Sequence, residues 1–555
     1  MKKSLLLILF CLFLIPSLAS GEDFYEEQLN RGIRNSESYS YMLIQQSKEI
    51  KGQTRLILEK ALKYSPDLPA NYFELSKASF TFSTEGMFKT IDYLLQGIEA
   101  YKRNFWWSFS MVGSLFTSIV LSLICSVIII MLIRLPFDIP LLSHDLKEDR
   151  TKILLLLALV SAFVSPLFLL GGVLIIIGMY MTKWNKLSVY IYFLFLLISP
   201  LIFNTALMFM NASSSGKLKA IVQVNESKGN RYALTVLKGS DGYVEQFSYA
   251  LAMKREGGLH EAMNIYNNLI AKRPIPSVYN NLANCYVALN DIETAKELYI
   301  KSTSLQRLPS ALYNLSVLSR ETLDYDKGDE YFFSAQRLDR EAVSGFRRIF
   351  SKNPNRFVID ESLPSSTFWE YATGRTAGAY TINFSFIPHI FISIGALFMM
   401  VFFFFLNRRF KHMAYKCKRC GTILCNKCEK RILWGRMCLH CYLSLIKLDE
   451  LDAKERIARL LTAYKYQKRR RDIIKFISLI LPGSGQIYAG SILNGLLFLW
   501  PFLFFLFIPI TNTLFVPETS YFSHNWLSVI ALILAGIVYV VCNVIIRRRL
   551  ARGWL

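Results

Sequence analysis

Apolar residues in this chain gather into long uninterrupted blocks, and polar residues fall into two broad helical-period stretches and one cysteine-rich stretch. Blocks at 107–133, 188–210, 387–406, 492–510 and 526–546 are each close to the twenty apolar residues that a helix needs to cross a bilayer. They predict five membrane helices and a mainly α fold.

The block at 153–181 is too long for one span and too short for two. Arg150 and Lys152 precede it and Lys183 and Lys186 follow it, so basic residues hold both ends on one side. Pro166 and the Gly171-Gly172 pair supply a bend, and the block is expected to form a hairpin or re-entrant pair. With that hairpin, residues 20–106 and 211–386 lie outside the membrane, and Arg408, Arg409 and Arg547 to Arg549 lie inside. The loop 511–524, which contains neither Lys nor Arg, then falls outside. Lys2 and Lys3, an apolar run from Leu5 to Ile15, and the small residues Ser17 and Ala19 predict an export signal peptide over 1–19. The expected setting is a bacterial cytoplasmic membrane crossed several times.

Between the membrane blocks a period of 33 residues emerges, with small residues at Ala262, Ala295 and Gly328. In the middle unit Tyr279, Leu282, Ala283, Tyr286, Ala295 and Tyr299 alternate aromatic, leucine and small positions, with Asn290-Asp291 at the turn. Small residues let paired helices approach while aromatics fill the grooves between pairs, so such units stack into a solenoid. The pattern resembles the tetratricopeptide repeat. Gly257-Gly258, Ala262, Tyr266 and Pro274 form the first unit, and Tyr313, Leu315, Gly328, Phe332 and Ala335 the third. Ala61, Leu62, Pro66, Tyr72 and Leu75 resemble the end of one repeat and the start of another, which predicts that the region 20–106 packs with 211–386. The resemblance implies a concave surface for a protein or peptide. Cys285, set among core positions, reads as a buried free thiol.

Six of the ten cysteines fall between 417 and 441 as three Cys-x-x-Cys pairs: Cys417 and Cys420, Cys425 and Cys428, Cys438 and Cys441. Each such turn aims two thiolates at one ion, and two turns complete a tetrahedron. Cys420 and Cys438 enclose 17 residues, the separation of a zinc ribbon in which the first and third pairs share Zn²⁺. The middle pair is then surplus, or holds a second ion with His412 or His440. Disulfides conflict with the basic flanks and the reducing side they imply, whereas iron–sulfur ligation stays open. With every ligand place taken by thiolate, one or two structural ions are expected. Within the expected cysteine-rich zinc module at 407–444, residues 415–443 resemble the zinc-ribbon-like paired-cysteine modules of bacterial membrane proteins, which implies an interaction module.

The formal charge of +23 concentrates after residue 407. Residues 445–475 mix Leu and Ile with charged residues at helical spacing and include Lys468 to Arg471, predicting an amphipathic helix at the inner leaflet that meets anionic lipid. Nucleic acid is disfavoured as a partner, because the basic clusters are juxtamembrane. Pro482, Gly483, Gly485, Gln486, Tyr488 and Gly490 interrupt the apolar run opening 476–555, which predicts a broken or re-entrant helix there. This pattern resembles the TM2-type two-span families, with Gln486 and Tyr488 expected to anchor the loop at the interface.

No His-Glu-x-x-His, Gly-x-Ser-x-Gly or phosphate loop occurs. The blocks named above contain only His389 as an ionisable residue, against the several that a transport pathway needs. The expectation is a non-enzymatic membrane scaffold or assembly protein, with a transporter or channel component as the alternative and an intramembrane enzyme last.

Overall fold

The computed structural model describes residues 21–50, 52–146, 150–152, 154–156, 159, 165–352, 358–374, 389–409, 413–425, 437–445, 452–515 and 525–552. The expected signal peptide lies outside them. The chain divides into two units, one of residues 1–109, 211–377 and 517–522, the other of residues 110–210, 378–516 and 523–555.

In the first unit the 33-residue period becomes three antiparallel helix pairs: Tyr243–Arg255 with Leu259–Lys272, Pro276–Ala288 with Ile292–Leu305, and Pro309–Glu321 with Tyr325–Leu338. Local chemistry repeats with the pairs. Pro276 and Pro309 open the leading helices where a proline's missing N–H costs nothing. Asp291 and Asp324 cap the trailing ones, accepting the N–H groups of Thr294 at 3.2 Å and Lys327 at 3.3 Å. Ala262, Ala295 and Gly328 are buried where the helices of each pair meet, and Tyr266 and Tyr299 are fully buried beside them. A Cβ at Gly328 would lie 2.7 Å from the Arg320 side chain, so the smallness of this position is a packing requirement. Cys285 is a free, buried thiol that donates to the Asn281 carbonyl at 3.4 Å, and burial pushes its pKa up to about 12.

The N-terminal stretch also forms helix pairs, Glu37–Glu49 with Thr54–Tyr64 and Pro69–Ser79 with Thr84–Arg103. It packs with the later stretch, as expected. Lys228 sits between Glu37 at 2.9 Å and Glu226 at 2.7 Å, and Ser227 O accepts the N–H groups of Arg34 and Asn35 at 2.8 and 3.0 Å. All three ionic side chains are less than one-fifth exposed, so their mutual pairing offsets the desolvation each would otherwise suffer.

Five helices among the described residues are long and apolar enough to cross a membrane: Phe105–Asp145, Leu187–Ser214, Phe391–Arg409, Ile492–Asn512 and Leu527–Ala551. Three contain their predicted block whole, while Phe391–Arg409 and Leu527–Ala551 begin four residues and one residue inside the blocks at 387–406 and 526–546. The first runs twelve residues past the expected end at Ile133, through Pro136 and Pro140. That extension carries a buried ion pair, in which Arg134 donates to both carboxylate oxygens of Asp138 at 3.1 and 2.6 Å. The block at 153–181 is described only in part. Ser165 is extended and caps a helix over Pro166–Met179, which at 1.5 Å per residue reaches about 21 Å, less than a bilayer core. The described helix starts at Pro166, and Gly171 lies inside it against Phe193 and Met399.

Within the second unit, Ser110, Ser114, Ser118, Ser122 and Ser126, four residues apart, are all fully buried on the first membrane helix. Thr511 meets two of them, 2.9 Å from Ser114 Oγ and 2.7 Å from Ser118 Oγ. Small hydroxyl side chains let membrane helices approach closely and bond across the contact.

The helix over residues 445–475 begins, among the described residues, at Ala453 and continues past the expected boundary to Ile480. Leu481 is extended, Gly483 has φ +87°, and a short helix over Ser484–Tyr488 leads into Ile492–Asn512. The broken helix read from this motif is present. Gly483 permits it, because a Cβ there would lie 2.2 Å from the Gly495 carbonyl oxygen.

Candidate functional site

The cysteine module begins with a two-stranded antiparallel ribbon, Tyr415–Lys416 against Ile423–Leu424, pairing Tyr415 with Leu424 and Lys416 with Ile423. Its turn carries Cys417 and Cys420 and closes through two backbone bonds, Cys417 N–H to Thr422 O at 2.8 Å and Gly421 N–H to Cys417 O at 3.0 Å. Gly421 has φ +82°, and a Cβ there would meet the Tyr466 ring at 2.4 Å, so the turn needs glycine on two counts. Cys438 and Cys441 come from the start of a second element, whose helix spans Leu439–Leu445.

These two turns bring the sulfur atoms of Cys417, Cys420, Cys438 and Cys441 within 4.8 Å of one another. A tetrahedral ion with metal–sulfur bonds of about 2.3 Å would separate its sulfurs by about 3.8 Å. Cys420 Sγ and Cys438 Sγ are already 3.6 Å apart. Backbone N–H groups point at the sulfurs, Cys438 to Cys417 Sγ and Cys441 to Cys438 Sγ, each at 3.4 Å. Burial raises the Cys417 pKa, but N–H donors from Cys420, Cys438 and Arg419 outweigh it and pull the thiol down to about 7. Burial pushes Cys438 up to about 11 and Cys441 higher still. A cation among them would favour the thiolate at every position. The donor set therefore fits a metal ion, and it joins the first and third pairs.

Cys425 stands apart from that group, buried against Leu141 and Ala414. Cys428 and His412 lie outside the described residues. His440 is exposed and, among the described residues, is not part of the sulfur group.

The module is seated on the end of the first membrane helix. Asp145 accepts the Ala414 N–H at 2.9 and 3.1 Å and the Tyr180 hydroxyl at 3.1 Å. Lys416 Nζ donates to Phe137 O at 2.9 Å and lies 3.5 Å from the Phe137 ring centroid. Burial pushes the Lys416 pKa down. From the other side, Gln467 donates to the carbonyls of Lys418 and Arg419. Arg134 donates to Tyr488 O at 3.4 Å, and the Tyr488 ring packs against Phe137. Gln486 is fully buried, and its amide has no hydrogen-bond partner among the described residues, which differs from the expected place at the interface.

The second site is the inner face of the repeats, whose residues sequence reasoning did not single out. Asn280, Asn281, Asn284 and Asn314 are fully buried and turn toward a stretch of the same chain at Val358–Leu363. The Ile359 carbonyl accepts from Asn280 at 3.1 Å, Asn284 at 3.0 Å and Asn314 at 2.9 Å, while Ile359 N–H donates to Asn314 Oδ1 at 2.7 Å. Two residues on, Glu361 exchanges both backbone bonds with the Asn281 amide, at 2.9 and 2.8 Å. Two further on, Leu363 N–H donates to Asn225 Oδ1 at 2.8 Å. Between these rungs Asp360 pairs with Lys254, lies 3.5 Å from Arg255 Nε and accepts from Asn284 at 2.8 Å. Ser310 donates to Glu361, whose pKa is raised by burial despite that bond. One signal in the sequence could have found this face: Asn280 and Asn314 stand 34 residues apart at equivalent places on successive leading helices.

A family model described as tetratricopeptide repeat matches residues 276–307, the middle helix pair. Comparison of the chain with curated proteins gives no match.

Proposed function

We propose that this chain is a non-catalytic scaffold of a bacterial cytoplasmic membrane, holding a protein segment in its repeat groove outside the cell interior and a structural zinc module inside. The observation that carries the reading is the groove itself, where amide side chains grip an extended backbone at every second residue. A surface that binds backbone in this way suits protein segments rather than small molecules. The sidedness rests on the positive charge of Arg408, Arg409, Lys468 to Arg471 and Arg547 to Arg549, which the cytoplasmic side favours.

Zinc is the reading for the thiol cluster because four thiolates are soft ligands that satisfy a tetrahedral ion completely. With Cys417, Cys420, Cys438 and Cys441 all engaged, no place is left for water, so the ion's contribution is to hold the two turns together. Acidic lipid is the reading for the basic helix. A cavity of about 940 Å³ opens between Ala453–Ile480 and the last membrane helix, with Lys468, Arg471, Lys475 and Arg547, against the single acid Asp472, around Phe476, Leu479 and Ile546. Basic residues above an apolar floor match a phosphate headgroup and its acyl chain.

Crosslinking in native membranes, read by mass spectrometry, tests the scaffold. It should join a second protein, in stoichiometric yield, to peptides from residues 243–338. Crosslinks confined to the chain itself would contradict the proposal.

A further inference from the structure

We propose that the segment Val358–Leu363 is a tethered stand-in for a partner's peptide: the groove is a site for an extended acidic segment, and a partner enters by displacing the chain's own. The inference rests on the scaffold reading and deepens it by naming the ligand class and what competes with it.

Two kinds of contact separate what the groove grips from what it selects. Bonds to Ile359, Glu361 and Leu363 involve only backbone N–H and C=O groups, so another chain in the same extended form can make them all. Selection falls to the side chains. Lys254 and Arg255 face Asp360 from the first repeat, each less than one-tenth exposed, and define a place for one carboxylate. Ser310 receives a second carboxylate at Glu361. Before them, Ile359 packs against the cluster of Leu312, Tyr313 and Val343, and Val358 against that of Ala283, Leu315 and Leu318. The ligand chemistry is therefore two aliphatic residues followed by two acidic ones, bound extended.

Exchange is built into this arrangement. The segment is not part of a helix or sheet, and the neighbouring helix begins only at Ser365. Its hold comes from being covalently present, since tethering at short range supplies an effective concentration on the order of millimolar. An outside peptide then sees an affinity reduced by the fraction of grooves left open: with roughly 99% self-docked, the apparent Kd rises about 100-fold.

The test uses the full-length chain in nanodiscs and a fluorescent synthetic peptide of residues 356–365, followed by anisotropy. The Asp360→Ala/Glu361→Ala chain should bind it at least tenfold more tightly than the unmodified chain, and a peptide with Lys at the Asp360 place should not bind. A doubly substituted chain that keeps its helix content and melting temperature but binds no more tightly would overturn the proposal. Should that chain fail to fold, two protease sites in the otherwise native sequence, one within 353–357 and one between Leu363 and the helix that begins at Ser365, give the second reading. Cutting both removes the tether without altering the segment, so peptide uptake should rise, and unchanged uptake in the folded, doubly cut chain would equally overturn the proposal. If partner crosslinks to residues 243–338 persist while peptide uptake never changes, the scaffold reading stands and this inference falls.

Discussion

The repeat groove and the thiol cluster are both pockets of converging polar side chains, and they reach balance in opposite ways. In the groove the chain supplies both halves: Asn281 and Asn314 each form a donor–acceptor pair with a backbone of the same molecule. In the module four sulfurs converge within 4.8 Å, with backbone N–H groups and the Thr422 hydroxyl beside them. As thiolates they would repel one another by about 4 kcal/mol per pair at an effective dielectric of 20, so their common charge needs a cation. The sites differ in where the missing half is encoded. One is completed by residues some eighty positions along the sequence, whereas the other has the geometry to take an ion.

That contrast breaks most visibly if the metal is taken away. Cys417→Ser should abolish stoichiometric zinc and release the ribbon at 415–424, an effect on the order of 10 kcal/mol for a structural site, read by elemental analysis and proteolysis of the module. Repeats in the same sample should keep their melting temperature. Asn314→Leu strikes the opposite partner. It strips Ile359 of one bond at each backbone group and should lower the stability of the repeat unit by about 2–3 kcal/mol, seen as a lower melting temperature with zinc content unchanged.

A smaller effect separates holding the metal from seating the module. Asp145→Asn keeps one acceptor oxygen but removes the charge that takes Ala414 N–H and Tyr180. It should cost about 1 kcal/mol of docking and raise proteolysis near residue 413 without loss of zinc. The smallest effect is on pH. Burial raises the Glu361 pKa, so the docked segment holds more protons than the released one, and docking must weaken as pH rises above the ordinary glutamate range. Glu361→Gln should remove that dependence, measured as hydrogen exchange at 358–363 between pH 5 and 8.

How much of this was legible follows from the same physics. The period through Ala262, Ala295 and Gly328 showed in the sequence because close helix approach tolerates only small side chains, a constraint that acts on residue type at a fixed interval. The grouping of Cys417, Cys420, Cys438 and Cys441 was legible because a Cys-x-x-Cys turn places two sulfurs side by side, a constraint of spacing alone. Asparagines on a helix carry no such mark: the same residue is common on wet surfaces, and only its distant partner at 359–361 reveals burial. The serine ladder against Thr511 was hidden likewise, since hydropathy counts serine in an apolar block as a minor dilution. Arg134 ended the first apolar block on paper, although the helix continues, because Asp138 one turn later neutralises it.

The most direct measurement is native-state hydrogen exchange on the full-length chain in nanodiscs, with and without a strong zinc chelator. The account predicts that chelation erases protection at 413–425 and 437–445 while 358–363 and the Asn-bearing helices stay protected. Equal protection of the module in both conditions, or joint loss in the module and the groove, would contradict it.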